Sequence, residues 1–598
     1  MPMKPVSNKG NSSRLIFRLS RLVPKAGTYF HKYGLSATLW KIGARLRPMI
    51  LPPRTLREPL FSQQELAAQR ERKFPEKHVF SLLVPLYNTP ESFLREMISS
   101  VQAQTYGMWE LCLADGSDES HPEVEEICRE YAVKDPRIRY RRLERNLGIS
   151  GNTNACLEMS TGDYISLFDH DDLLHPAALF EVIRTVSETK ADFVYTDEAI
   201  FIGDPKHIYT VHCKPDFFPD YLRGNNYICH FTSFSRELLN RTGLFRPEFD
   251  GSQDHDFVLR ATEKAKKIVH IPEILYYWRS HPNSVAEDID SKRYAIDAGI
   301  HSVQSQLDRL GIPGTVESSP VFPVIYRIRY RPTDTPLVSV IIHAQREKDL
   351  RTCLDAVLKN TSYSPVELLA AAPDRPEFRE LISAFPGVRP VPMPEPFRPW
   401  TACNIAAGYA TGAQLLFLDS TCVPCHSDWI QELLMYAQRE NAGAVAGKIF
   451  DDKRRVIHAG LILGYGPYRT AACPFAGFPD GVDGYNGRLY YSQEYSAVSP
   501  ECVMIPRGVW EQAGPFREYL SPDHTGADLC LRIRNVGYHI FWTPYCILGQ
   551  TPAPPHPSKK AIAAEAQRFR EAWADALGHT DPCYNPNFRN SGPGFSLK

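Results

Sequence analysis

The same βα pattern occurs twice in this chain of 598 residues. "FSLLVPLYN" at 80–88 is answered by "LVSVIIHAQ" at 337–345, both apolar and partly β-branched. Each runs into a helical pattern, "PESFLREMISSVQAQT" or "KDLRTCLDAVLKNT", and then into a second strand, "WELCLAD" or "VELLAAA". Further on, "NACLEMSTGDYISLFDHDD" is answered by "NIAAGYATGAQLLFLDSTC", and Asn154 to Asp169 has the same spacing as Asn404 to Asp419. "DHDFVLR" from Asp254 is answered by "GADLCLR" from Gly526. Continuously apolar strands alternating with amphipathic helices fold as doubly wound α/β sheets, buried on both faces. The repetition makes this an internal duplication. We expect a basic, helical segment over 1–75 and α/β domains over 76–330 and 331–598. The boundary falls in "RYRPTDTPL", and Pro-rich "TPAPPHPSKK" leads to a last helix.

Composition narrows the class. Hydrophobic content of 43% and charged content of 23% fit a globular protein. There is no apolar run long enough for a transmembrane helix, and the first residues lack the apolar core of a signal peptide. The fourteen cysteines follow no paired framework and read as reduced thiols, which places the protein in the cytoplasm. Cys422 and Cys425 lack two further ligands at zinc spacing. The net charge of −1 hides an asymmetry: residues 1–57 hold twelve Lys or Arg and no Asp or Glu. Arg14, Arg18, Arg21 and Lys25 form a helical stripe beside Leu15, Leu19 and Leu22. Two readings stand: contact with the inner face of a membrane, or an arm packed on the protein's own acidic domain. No nucleic-acid partner is expected.

In open α/β sheets ligands bind at the carboxyl ends of the strands. In the first repeat those ends carry Pro85, Tyr87 and Asn88, then Asp115, then Asp169 and Asp171. "RNLGISGNTN", with Gly148 and Asn154, opens a helix whose start can face phosphate. Close carboxylates repel unless something positive joins them. Mg²⁺ takes one or two protein carboxylates and completes its shell with water and phosphate oxygens, so a metal-bound diphosphate explains "LFDHDD". Asp254 and Asp256 open a later helix, and Arg279 and His281 follow an apolar run. Asp172 reads as a helix cap, His170 as a loop residue, Asp256 as a helix-start or packing residue, and Tyr276, Tyr277 and Trp278 as strand core.

Together "LFDHDDLL", "YTDE", "KPDFFPDYL", "NNYICH", "GSQDHDFVLR" and the ending "CYNPNF" resemble the family 2 glycosyltransferases, inverting enzymes of GT-A fold. The resemblance spans 76–590 and is specific to the bacterial subgroup of O-antigen, capsule and rhamnan synthesis. It implies a nucleotide-sugar donor, a divalent metal (Mg²⁺ or Mn²⁺) and a glycan acceptor that is lipid-linked. By the same resemblance Asp254 is the catalytic base, Asp115 contacts the nucleotide base and Asp169 lies near the ribose. Asp171 holds the metal, with Asp169 and His281 beside it, and Arg279 lies near the diphosphate. Gln253 precedes the base, as in that subgroup; Gly116 departs from relatives with a second Asp.

The second repeat has Ala372 for Asp115, Thr421 for Asp171 and Gly526 for Asp254, while Asp419 and Asp528 keep the places of Asp169 and Asp256. One active domain and one degenerate copy are therefore expected. The alternatives are a bifunctional transferase and a non-catalytic scaffold for glycan assembly.

Overall fold

The computed structural model describes residues 30, 34, 35, 37–43, 60–206, 208–281, 293–552 and 557–598. β1 (Phe80–Leu86) and β2 (Trp109–Asp115) are buried at every position and pair in parallel, with Leu86 opposite Asp115. Neither strand alternates, because helices cover both faces. The helix Glu91–Gln102 buries Leu94, Met97, Ile98 and Val101, the i, i+3, i+4, i+7 stripe visible in the sequence.

The other strands are β3 (Ile138–Arg142), β4 (Tyr164–Leu167), β5 (Leu173–Leu174), β6 (Phe193–Phe201), β7 (Ile208–His212), β8 (Thr232–Ser235) and β9 (Ile268–Arg279). Their order is β3-β2-β1-β4-β8-β6-β9-β5, with β7 on β6. β8 runs antiparallel to both β4 and β6, so the sheet is mixed beyond its parallel half.

The second sheet repeats this order. Val388–Met393, Val366–Pro373, Val338–His343 and Gln414–Asp419 are its parallel half. Cys502–Pro506, Ala442–Phe450, His539–Gln550 and Cys422–Pro424 follow. This is the doubly wound, GT-A-like arrangement expected, built twice.

The copies agree below the level of strands. Ser81 donates to Glu110 at 2.6 Å, and the Gly162 amide donates to Ser81 at 2.9 Å. In the second half Ser339 donates to Glu367, and the Gly412 amide to Ser339 at 2.8 Å. Buried polar groups need partners, so such networks persist wherever the sheet does.

The halves touch extensively. Tyr221 stacks on Tyr491 with ring centroids 5.1 Å apart, and Arg439 reaches buried Asp220 at 2.7 Å. Residues 37–43 lie on the second half, where Trp40 packs on Phe478 and Lys41 pairs with Asp483 at 2.9 Å. That short stretch follows the packed-arm reading. The stripe from Arg14 to Lys25 lies outside the described residues. No described helix is long and apolar enough to cross a membrane.

Candidate active site

The carboxyl ends of β1, β2, β4 and β9 meet at one rim. At the end of β1, Asn88 adopts φ 49°. Its side-chain Nδ2 donates to Asp118 at 2.7 Å and its Oδ1 accepts from the Asp118 backbone amide at 3.0 Å, which ties the ends of β1 and β2 together. Pro85 lies within β1 opposite Ala114, and Tyr87 is exposed at the same corner. Asp115 is fully buried at the end of β2. One of its oxygens accepts from Arg142 at 2.7 Å and from the Tyr140 hydroxyl at 2.8 Å; the other accepts from the Ser117 amide at 2.8 Å.

Past β4 the "DHDD" loop separates its carboxylates. Asp169 faces His230 Nε2 at 3.2 Å. Asp171 faces His281 Nε2 at 2.7 Å. Asp172 is fully buried and does not cap the following helix, whose start has no side-chain cap. It accepts instead from the Tyr276 hydroxyl and the Arg279 amide, each at 2.6 Å. Burial, with Asp171 and Asp169 close by, pushes its carboxyl well above the usual range.

Among the described residues, Asp169, Asp172 and His230 form a group whose ligand atoms all lie within 4.8 Å. Two carboxylates and an imidazole suit a divalent cation. The expected set of Asp171, Asp169 and His281 is thus divided: Asp169 joins Asp172 and His230, while Asp171 and His281 pair beside them. The physical reason is β8. It inserts between β4 and β6 and brings His230 to the rim, and β9 turns Asp172 inward. His230 also lies 3.3 Å from Glu198. Burial opposes its charge, yet Cys229, Asp169 and Glu198 hold the imidazole well above its ordinary value.

Three further expectations change. Arg279, expected near the diphosphate, is 3% exposed and turned into the protein. It donates to the Asp171 carbonyl at 2.6 Å and to Glu96 at 2.7 Å, and it lies over the Phe93 ring at 4.4 Å. Its guanidinium braces the loop. The helix Gly148–Met159 was expected to face phosphate, but the Ser150 amide donates to Asp250 at 3.2 Å, so a carboxylate already meets that positive end. Gly148 has φ +77°, and a Cβ there would lie 2.5 Å from Asp250. Asn154, expected to touch the donor, donates to the Phe245 carbonyl at 2.9 Å and accepts from its amide at 3.0 Å. Asn404 makes the same pair of bonds to Phe516 in the second half, both at 2.9 Å. A contact kept in the copy that lost its carboxylates is scaffold.

The helix Gln253–Thr262 presents two carboxylates with opposite fates. Asp254 is half-buried and accepts from the Asn226 amide at 2.7 Å. Asp256 is fully buried between Arg246 and Arg260. Asp528 repeats the second arrangement with Arg517 and Arg532, both at 3.0 Å. At the counterpart of Asp254, a Cβ on Gly526 would lie 2.2 Å from the Val498 carbonyl oxygen and 2.8 Å from Pro500. The second half has filled the space. Gly526→Ala should therefore cost about 1–3 kcal/mol by overpacking, and stability equal to the parent in thermal unfolding would contradict this.

Asn226 and His230 were not singled out from sequence. Both lie in "NNYICH", where a polar pair and an imidazole flank an apolar triplet, and that was the available signal.

The family described as Glycosyl transferase family 2 matches this chain twice, over residues 81–244 and 339–487, once in each half. Protein y4gI of Sinorhizobium fredii, described as uncharacterized, is 34% identical over 86% of this chain and 58% of its own length. The O-antigen biosynthesis protein RfbC of Myxococcus xanthus is 31% identical over 89% of this chain and 42% of its own. The chondroitin synthase of Escherichia coli is 27% identical over 39% of this chain and 33% of its own. The chain spans only part of each relative.

Proposed function

The chain belongs to glycosyl transferase family 2, and from that premise we propose that its first half transfers a sugar from a nucleotide-sugar donor to a glycan hydroxyl with inversion. One observation carries the reading. Asp115 ends β2, Asp171 follows β4, and Asp254, whose carboxylate meets Asn226, opens a helix; the copy has Ala372, Thr421 and Gly526 in their places.

A sugar hydroxyl is a poor nucleophile at neutral pH, and a carboxylate placed to take its proton lowers the barrier. Asn226 holds Asp254 Oδ2, so Oδ1 is the oxygen assigned to that proton. The hydroxyl then attacks the anomeric carbon opposite the departing nucleoside diphosphate, and the centre inverts. Asp169 is assigned to the ribose side, and Asp115, fully buried on Arg142 and Tyr140, to holding the end of β2 beneath the nucleotide base. Asn88 and Tyr87 stand just past the end of β1 on the same rim. Arg279 acts through the loop that it braces.

A divalent cation would be held by Asp169, Asp172 and His230, with Asp171 and His281 alongside, and when bound would stabilise charge on the leaving diphosphate. The acceptor is assigned to a growing cell-surface polysaccharide, and the likeness to an O-antigen biosynthesis protein supports this. The basic stripe Arg14, Arg18, Arg21 and Lys25 would bring the enzyme to a lipid-linked acceptor at an anionic leaflet.

The test is release of nucleoside diphosphate from a panel of nucleotide sugars, with and without Mn²⁺ or Mg²⁺. Turnover of one donor that stops in excess chelator is expected. Undiminished turnover in chelator would remove the cation from the scheme, and no turnover of any donor would sink the reading itself.

A further inference from the structure

The last residues of the chain return to the first half. Asn585 is 3% exposed, and its amide donates to Asp197 at 2.8 Å and to the Lys214 carbonyl at 2.9 Å. Asn587 donates to the same Asp197 oxygen at 3.3 Å and to the Pro272 carbonyl at 2.8 Å. The tail is fixed from the other side by the second half. Asp581 accepts from the Leu463 amide at 2.6 Å and from the Ser496 hydroxyl at 2.8 Å, and Arg488 donates to the Cys583 carbonyl at 3.0 Å.

Asp197 lies in β6 and is fully buried. Its other oxygen accepts from the Lys214 amide at 2.8 Å and faces His270 at 2.8 Å. Lys214 is also fully buried. Its ammonium donates to Glu198 at 3.2 Å, to the Ile228 carbonyl at 2.7 Å and to the His230 carbonyl. The segment thus gripped, 226–230, carries the Asn226 amide that holds Asp254 and the His230 imidazole that faces Asp169. Tail amides, Asp197, Lys214 and the rim segment form one continuous polar column beneath the site. Water cannot substitute cheaply inside such a column, because a buried charge that loses a partner keeps its full desolvation penalty.

We propose that Asn585 and Asn587 are positioning residues for transfer in the first half, and that the second half takes part in catalysis by holding the 226–230 segment from beneath. This rests on the assignment of Asp254 and Asp169 made above. It gives the degenerate copy a reason to keep its fold: Leu463, Ser496 and Arg488 anchor the tail, and none of them needs a donor site.

The experiment uses the full chain with Asn585→Ala and Asn587→Ala together. Backbone hydrogen exchange is read at Thr196, Lys214 and Phe231, whose amides bond within the column or against the segment. Turnover is read with the best donor of the nucleotide-sugar panel. Loss of hydrogen bonds to a buried carboxylate should speed exchange at these amides about tenfold or more. The rate constant kcat should fall about 10–100-fold, as when groups supporting a site are removed, with KM for the donor changing less. The melting temperature should fall as well, because the double variant leaves the buried Asp197 short of two donors, while the fold is retained. Unchanged exchange at these amides together with unchanged kcat would overturn the proposal. If the double variant does not fold, Asn587→Ala gives up only the weaker 3.3 Å contact to Asp197 and its bond to Pro272, and carries the same test with the same two readings. Exchange does not depend on turnover. A wild type that transfers nothing would therefore fail the proposed function while leaving the column to be judged on its own.

Discussion

Asp254→Asn should lower transfer by about 10²–10⁴-fold, the usual contribution of a positioned base, and leave the fold intact. The amide matches the carboxylate in shape and can still accept the 2.7 Å hydrogen bond from Asn226. That choice turns its nitrogen toward the acceptor hydroxyl, and an amide nitrogen, its lone pair delocalised into the carbonyl, cannot take the proton. The side chain is only half-buried and its helix is held elsewhere, so the stability change should stay within about 0.5 kcal/mol. Donor binding, read by calorimetry with the nucleoside diphosphate, should survive. Turnover near that of wild type would show that another group takes the proton.

Two residues along the same helix the expectation reverses. Asp256→Asn should destabilise the first half by about 3–5 kcal/mol, the range for removing one member of a buried ion pair. Arg260 is 6% exposed, and its remaining donors reach the Thr242 carbonyl at 2.9 Å and the Leu244 carbonyl at 3.0 Å, so it cannot swing out to water. Without the carboxylate it becomes an unneutralised buried cation. Arg246 is more exposed and adds less, because solvent screens it. Asp528→Asn should do the same to the second half, where Arg532 reaches the Gly514 and Pro515 carbonyls, each at 2.9 Å. Denaturant titration should lower the unfolding midpoint of either variant, and amide exchange should rise first around the substituted carboxylate. An Asp256→Asn protein that unfolds like its parent would refute the account.

This contrast was readable in the sequence because the duplication carried it: Asp256 has a surviving counterpart and Asp254 has none. Strand order in both halves was legible for the same reason, since apolar runs at matching intervals fix one βα succession. The site was legible only in part. Asp115, Asp169 and Asp254 lie at strand or helix ends and announce themselves locally. His230 does not, because its nearness to Asp169 follows from β8 entering between β4 and β6, a topological event with no local mark. Asp172 failed as a cap because the Tyr276 hydroxyl, far along the chain, was a stronger partner than the helix start. Asn154 has the look of a ligand group in sequence, but Asn404 makes the same two bonds in the second half. The tail asparagines stand in "CYNPNF", legible as a motif, but nothing local showed what they touch. Their role depends on a contact 388 residues away in sequence.

That separation has a consequence for how the protein is made. Asp197 is synthesised and folded into its strand long before Asn585 exists. At about 5–20 residues per second, the wait on the ribosome is roughly 20–80 s. During it the nascent chain can complete its first sheet while the buried carboxylate under the rim still lacks its last two donors. With the column acting as proposed, transfer stays slow until the second half has emerged and delivered its tail. Prematurely ended chains would then draw little on the cell's activated sugars, although the residues that carry the chemistry had already been made.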